Sequence, residues 1–411
     1  MKNYLNKNTI FFIIGLSFII KIICFFYFSD DVLKNEWEIL IHNFKISGVL
    51  GFNVVVNDFY AMPKFALPSE VVLPSVFMPP LYSYFLIIHD ILFFDYNFIN
   101  FVIFSQIFLS LVAIYFFYKT LIILINLKFS LILTFIFAFF PLYVYSIIKI
   151  SSISLQICLL VLFFYFIFKY NNKPKIKNLI IFSIISGLLV LIRGEFLLFY
   201  LLTNLYFFIF NDKKIYPIAI SLIICSLIIS PYLKRNYDYF ETITLTKSFG
   251  YNLLKGNNPE LKIEGNPFFI ENEYKKEELK IFTDHNYEIN LDNFYKEEAI
   301  KFISQDPQKY IKFYFLKIMS FIFFDHTSTY PNYFNILHIV PKIILSLLSL
   351  FGAIIALKSR SFFQYLSFFY FGNIFLFSIF FILPRYSLIL LPIQLFLCIP
   401  AINKLISKLR H

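Results

Sequence analysis

The sequence predicts an all-α polytopic membrane protein with about nine to twelve spans. Three observations carry this. Of the 411 residues, 59% are hydrophobic and only 15% are charged, against about 25% charged in an ordinary soluble domain. Mean hydropathy is +0.73. The apolar residues, 59 Phe among them, gather into runs near the roughly 20 residues that cross a bilayer. So much apolar surface excludes a soluble enzyme, because one water-soluble core cannot hide it, and it excludes a disordered chain. The net charge of +11 comes from 36 basic and 25 acidic residues; here it points to positive cytoplasmic loops and not to nucleic acid. Cys24, Cys158, Cys225 and Cys398 each sit inside an apolar run, so neither a disulfide framework nor a CxxC metal site is expected.

In chain order, the first run is 9–28, behind Lys2 and Lys7. No small-residue cleavage site follows it, so it reads as a retained first helix with a cytoplasmic N-terminus. Residues 29–79 form a mixed segment with Asp30, Asp31, Glu36, Trp37 and Glu38. Apolar runs follow at 80–95, 98–120, 128–148, 153–170, 178–193, 195–210 and 215–233. A polar segment, 234–308, precedes an amphipathic stretch at 309–324 and three further runs at 335–356, 363–382 and 387–402. This divides the chain into a membrane module, 1–233, a loop, 234–308, and a helical C-terminal part, 309–411.

Four basic clusters orient these runs: Lys169–Lys177, Lys213–Lys214, Lys358–Arg360 and Lys404–Arg410. Placing all four inside puts 29–79, the turns near 150, 194 and 385, and 234–308 outside. One parity conflict remains between the first outer loop and the turn near 150. The run 80–95 opens on Pro79-Pro80 and carries His89 and Asp90; either it stops short of spanning, or a neighbouring run is re-entrant. The stretch 309–324 reads as an interfacial helix or as the start of a tilted span. Its Lys309, Lys312 and Lys317 alternate with aromatics.

Arginine is scarce, with five against 31 Lys, and Arg193, Arg235 and Arg385 all fall on the outer side. That placement opposes the positive-inside bias, so something there wants a guanidinium. Arginine contacts phosphate in a planar, bidentate way that lysine cannot. All three are therefore candidates for binding a phosphate-bearing ligand, with an ion pair to Glu195 as the competing reading for Arg193. A carboxylate in the first loop could serve as general base for a hydroxyl, and Trp37 offers an indole face to a sugar ring. The six His are scattered, so no His-based metal site is expected.

Several local patterns occur in a characteristic order: "NEWEILIHNFKISGVLGF" at 35–52, "PSVFMPPLYSYFL" at 74–86, "GLLVLIRGEF" at 187–196, "SPYLKRN" at 230–236 and "PRY" at 384–386. Together they resemble the bacterial C-type membrane glycosyltransferases, the glycosyltransferase 39-like proteins related to protein O-mannosyltransferases and lipid A aminoarabinose transferases. The resemblance implies a C-type architecture with two extracytoplasmic loops, in the bacterial inner membrane. It implies transfer of a sugar from a polyprenyl-phosphate donor to a lipid, glycan or protein hydroxyl, with no cofactor. It makes Glu36 the catalytic base, with Asp31 as the fallback, and places Trp37, Pro80, Tyr82 and Tyr386 at the substrate cavity. Met78 stands where some relatives carry a basic residue before the Pro pair, and "KISSISLQ" at 149–156 lacks the acid that relatives often have there. The phosphate contacts must then come from elsewhere, such as Arg235, Arg385 or Arg193. Two other classes compete: a glycan polymerase or ligase, and a lipid-linked sugar transporter or flippase. A transporter should show internal repeats, and none is evident.

Overall fold

The computed structural model describes residues 2–33, 36–52, 54–56, 59–60, 71–93, 97–210, 215–278, 281, 284–330, 333–359 and 361–409. Of the basic clusters, Lys213, Lys214, Arg360 and Arg410 lie outside the described residues. The chain is all-α and polytopic. Five helices are long and apolar enough to cross a membrane: α1 (Lys2–Phe28), α4 (Phe98–Leu124), α7 (Ile153–Asn172), α10 (Ile215–Phe240) and α15 (Ile336–Leu357). The predicted run 128–148 is a broken helix, α5 (Leu127–Phe139) and α6 (Pro141–Ile147), bent by 51°. The break falls where Pro141 removes an amide donor and restarts a helix at its first position. Shorter apolar helices are α3 (Pro80–Leu92), α8 (Ile176–Ile192), α9 (Phe196–Phe210) and α18 (Leu391–Leu409), and α16 (Phe362–Ser378) is a further helix of seventeen residues. Among the described residues, five helices therefore qualify as spans by length and composition, or six with the bent pair. Reaching nine to twelve requires several of these shorter helices to cross as well.

Against the bundle lie α2 (Glu36–Ser47) and α3 (Pro80–Leu92) from the first loop, with a small antiparallel sheet, β1 (Val54–Val56), β2 (Phe59–Tyr60) and β3 (Val71–Val72), in the order β2-β1-β3. The polar segment supplies α11 (Phe249–Gly256), α12 (Pro267–Glu278) and α13 (Tyr287–Gln305), followed by α14 (Pro307–Ile322); a short α17 (Pro384–Ile389) precedes α18. The expected boundary at 233/234 falls inside α10, which runs on to Phe240 through Pro231.

The position of α3 favours the reading in which the run 80–95 stops short of spanning. Its thirteen residues extend only about 20 Å, too little for a hydrocarbon core of about 30 Å. It also packs along the first turns of α4. Tyr82 donates to Gln106 (3.0 Å), His89 bonds Ser105 (2.7 Å), and Phe93 stacks on Phe101 at 3.8 Å. Gln106 in turn donates to the carbonyls of Ile147 and Lys149. The helix therefore stays at the end of the bundle where the turn near 150 lies.

That end collects the segments which the lysine pattern groups on one side. Asp30 bonds the backbone of Ile148 and Ile150. Lys247 N donates to Val76 O, and Ile382 N to Ile263 O. Glu288 on α13 accepts from Ser75 Oγ and Val76 N, both at 2.9 Å. The two long loops thus form one cap over the bundle. Within the bundle, α15 and α18 approach so closely that a Cβ on Gly352 would sit 1.7 Å from the Leu397 carbonyl; only glycine admits that contact.

Candidate functional site

Four structural units bring charged side chains to the loop end of the bundle. The first is the α8–α9 break. The turn Arg193-Gly194-Glu195 ends α8 and starts α9, and Arg193 Nε donates to Glu195 Oε1 at 2.5 Å. Its guanidinium stacks on Phe377 (4.8 Å) and Tyr386 (5.1 Å). The second is α17, where Pro384 occupies the first helical position and projects the exposed Arg385 beside Tyr386. Tyr386 stacks on Phe377 at 5.2 Å and packs on Phe381 at 5.8 Å, so one aromatic floor carries both arginines.

The third unit is α11, which contributes Lys255. Its ammonium lies 4.4 Å over the Phe381 ring. Burial, then the neighbouring Arg385 guanidinium, lower its pKa, while the Glu36 carboxylate opposes them. The fourth unit is the N-terminus of α2, which presents exposed Glu36. Lys255 over Phe381 and Arg385 over Tyr386 thus border the same pair of rings, and the Arg385 and Glu36 charges both act on Lys255.

Lysine 317 holds this arrangement. It is fully buried and donates to Asn257 Oδ1 (2.9 Å) and to the carbonyls of Phe380 (2.6 Å), Gly256 and Ile379 (both 3.3 Å). It thereby fastens α14 to the end of α11, one residue beyond Lys255, and to the end of α16. Gly256 permits the junction, since a Cβ there would lie 2.4 Å from the Phe380 carbonyl. Glu264 accepts from Thr329 N (3.1 Å), Thr329 Oγ1 (3.0 Å) and Ser328 Oγ, which ties the segment leading to α15 to the loop after α11.

The other expected residues have different surroundings. Arg235 is committed to backbone: Nη1 donates to Ser75 O (2.9 Å) and to Asn236 Oδ1 (2.7 Å), Nη2 to Leu50 O (3.1 Å), and its plane lies on Tyr232, Tyr239 and Phe240. It clamps the first loop to α10, whereas Arg193 and Arg385 share Tyr386. Trp37 meets Tyr82 edge-on at 5.0 Å; Tyr82 is 1% exposed and tied to Gln106, so it supports the indole. Pro80 is buried at the first position of α3. Asp31 is exposed beside Asp30, whose carboxylate accepts from Lys149 Nζ and Ile150 N, both at 3.0 Å. Among the described residues, no three His, Cys, Asp or Glu side chains gather closely enough to hold a metal ion.

Sequence reasoning overlooked Lys255, Lys317 and Glu288. Lys317 carried one signal, a lysine among aromatics in an amphipathic stretch. The other two look like ordinary charges of a polar loop.

This fold is that of the C-type membrane glycosyltransferases. The chain is similar to the oligosaccharyltransferase of Archaeoglobus fulgidus in its apo form, with a TM-score of 0.57 and 15% identity. The match covers 99% of this chain and 51% of that one, so the chain spans about half the length of that enzyme. The same enzyme tethered to an acceptor peptide with an NVT sequon gives a TM-score of 0.56 at 14% identity, over 99% and 50% of the two chains. ArnT from Cupriavidus metallidurans bound to undecaprenyl phosphate aligns with a TM-score of 0.41 and 10% identity, over 93% and 77%. No protein-family model matches the chain, and no curated protein is significantly similar to it in sequence.

Proposed function

We propose that the chain is an integral membrane glycosyltransferase that moves a sugar from a polyprenyl-phosphate donor to a hydroxyl acceptor at the extracytoplasmic face. The observation that supports it most is that Lys255 and Arg385 border the adjoining rings of Phe381 and Tyr386 at the loop end of the bundle, with the Glu36 charge acting on Lys255. A phosphate at that surface gains charge-assisted hydrogen bonds from Lys255 and Arg385. Glu36 opposite takes the proton of an acceptor hydroxyl, which attacks the anomeric carbon. The bond from that carbon to the phosphate oxygen breaks, and the two cations stabilise the charge left on the polyprenyl phosphate. Arg193 lends its field, reduced by Glu195. Arg235 is the weaker candidate for this step, because three of its five donors already serve Ser75, Leu50 and Asn236. The four basic clusters at the other ends of the helices support an outward-facing site.

The test is binding of a polyprenyl phosphate to the purified protein. Wild type should bind it, Lys255→Met and Arg385→Ala should each weaken binding about tenfold or more, and Arg385→Lys should recover only part. Unchanged binding in both truncations would reduce these residues to headgroup anchors.

A further inference from the structure

A partly open groove of about 460 Å3 lies between α3, α4 and the start of α7, a volume in the range of pockets that hold a small organic ligand. Its walls include Phe85 from α3, Phe101, Phe104, Phe108 and Leu109 from α4, and Leu155 from α7. Ser105 is the one polar side chain in the lining, and its hydroxyl is already bonded to His89 Nε2 at 2.7 Å. No charged side chain lines the groove. A polar occupant would give up water there for few partners, so the surface suits hydrocarbon.

The groove is also placed where hydrocarbon is at hand. Its α4 residues lie roughly 5 to 16 Å along the helix from Phe98, at 1.5 Å per residue. They belong to the loop-end half of a helix long and apolar enough to cross the membrane. Phe104 and Phe108 remain 42% and 66% exposed, open to a lipid chain in the same leaflet.

Ring contacts connect the groove to the base and not to the cations. Phe85 stacks on Tyr82 at 5.8 Å, and Tyr82 meets Trp37 at 5.0 Å, the residue next to Glu36. The start of α7 turns two neighbouring side chains to different spaces: Leu155 lines the groove, whereas Gln156 lines the cleft beside Arg193. A chain seated against Phe85 therefore has its polar end near Trp37 and Glu36.

We propose that the acceptor is a hydroxyl-bearing membrane lipid, that its hydrocarbon chain lies in this groove, and that its headgroup crosses Trp37 to reach Glu36. The headgroup oxygen bonds the anomeric carbon, its proton passes to Glu36, and polyprenyl phosphate leaves with the electron pair of the broken bond. The inference rests on the glycosyl-donor reading above and names the acceptor of that reaction.

The experiment supplies polyprenyl phosphates carrying labelled glucose, galactose or mannose to membranes that contain the full-length protein. Products are sorted by organic extraction and by protease treatment. Wild type should place label in an extractable, protease-resistant lipid distinct from the donor. Leu109→Trp and Leu155→Trp each put an indole into the groove and should cut that transfer about tenfold or more. Both should keep the unfolding midpoint of wild type and its binding of bare polyprenyl phosphate. Label in protein or in a water-soluble glycan overturns the lipid acceptor and leaves the donor reading standing. Full transfer in both variants overturns the groove. Loss of bare polyprenyl phosphate binding at an unchanged unfolding midpoint gives the groove to the donor chain, which also overturns the proposal. Should no label leave any of the three donors, the glycosyl-donor reading itself fails.

Discussion

Glu36 and Asp31 are both exposed carboxylates of the first loop, but only Glu36 acts on Lys255. Changing Glu36 to Gln keeps the shape and removes the proton acceptor. Turnover is expected to drop about 100-fold or more with polyprenyl phosphate binding retained, while Asp31→Asn stays near wild type. The opposite pattern would move the base by five positions, and two active variants would remove it from this loop. Arg193 and Arg385 were legible because arginine is scarce and both interrupt apolar runs. Arg235 shared that signature, but its acceptors, Ser75 O and Leu50 O, lie about 160 and 185 positions upstream, a distance no local pattern encodes. Lys255 was hidden by abundance, as one of nine lysines between 234 and 308.

Helical runs were legible where the apolar stretch was long, as in α4, α7 and α15. The weak runs turned on single residues. Pro79-Pro80 starts α3 too late for a span, and Pro141 splits α5 from α6. At α14 an interfacial reading agrees with a cap that Asp306 closes by accepting from Lys309 N at 3.1 Å. The tie between α13 and the first loop predicts a pH effect. Burial raises Glu288 from 4.5 to about 7, against the opposing hydrogen bonds from Val76 and Ser75 and the nearby Arg235. The native state then holds this proton more tightly than the unfolded chain. The contribution is complete below the unfolded value and is lost as pH rises through the folded one. Thermal unfolding midpoints should therefore fall between about pH 5 and 7.5, and Glu288→Gln should flatten that fall. An undiminished slope in the variant would place the titration in another group.

Across the whole molecule, the segments that lie opposite the four basic clusters share one end, although they are spread from Asp30 to Arg385 along the chain. The sequence could group them by charge, whereas the way they interlock depends on contacts such as Ser75–Glu288 and Lys317–Phe380. Sidedness is open to cysteine labelling in intact cells, in a background with the native cysteines replaced. Lys262→Cys should react with an impermeant reagent and Lys173→Cys should not; both side chains are exposed, whereas Asn257 is buried on Lys317. The reverse pattern would turn the site toward the cytoplasm. The central claim concerns the donor, and it is tested most directly by following a labelled hexose in membranes that contain the protein. The label is supplied either on polyprenyl phosphate or on a nucleotide diphosphate, with glucose, galactose and mannose tried in turn. The account predicts that label leaves the polyprenyl phosphate for a hydroxyl-bearing membrane product in a manner that requires Glu36 and Arg385, with none moving directly from the nucleotide sugar. Label that remains on the lipid for all three sugars, or that transfers only from the nucleotide form, would contradict it.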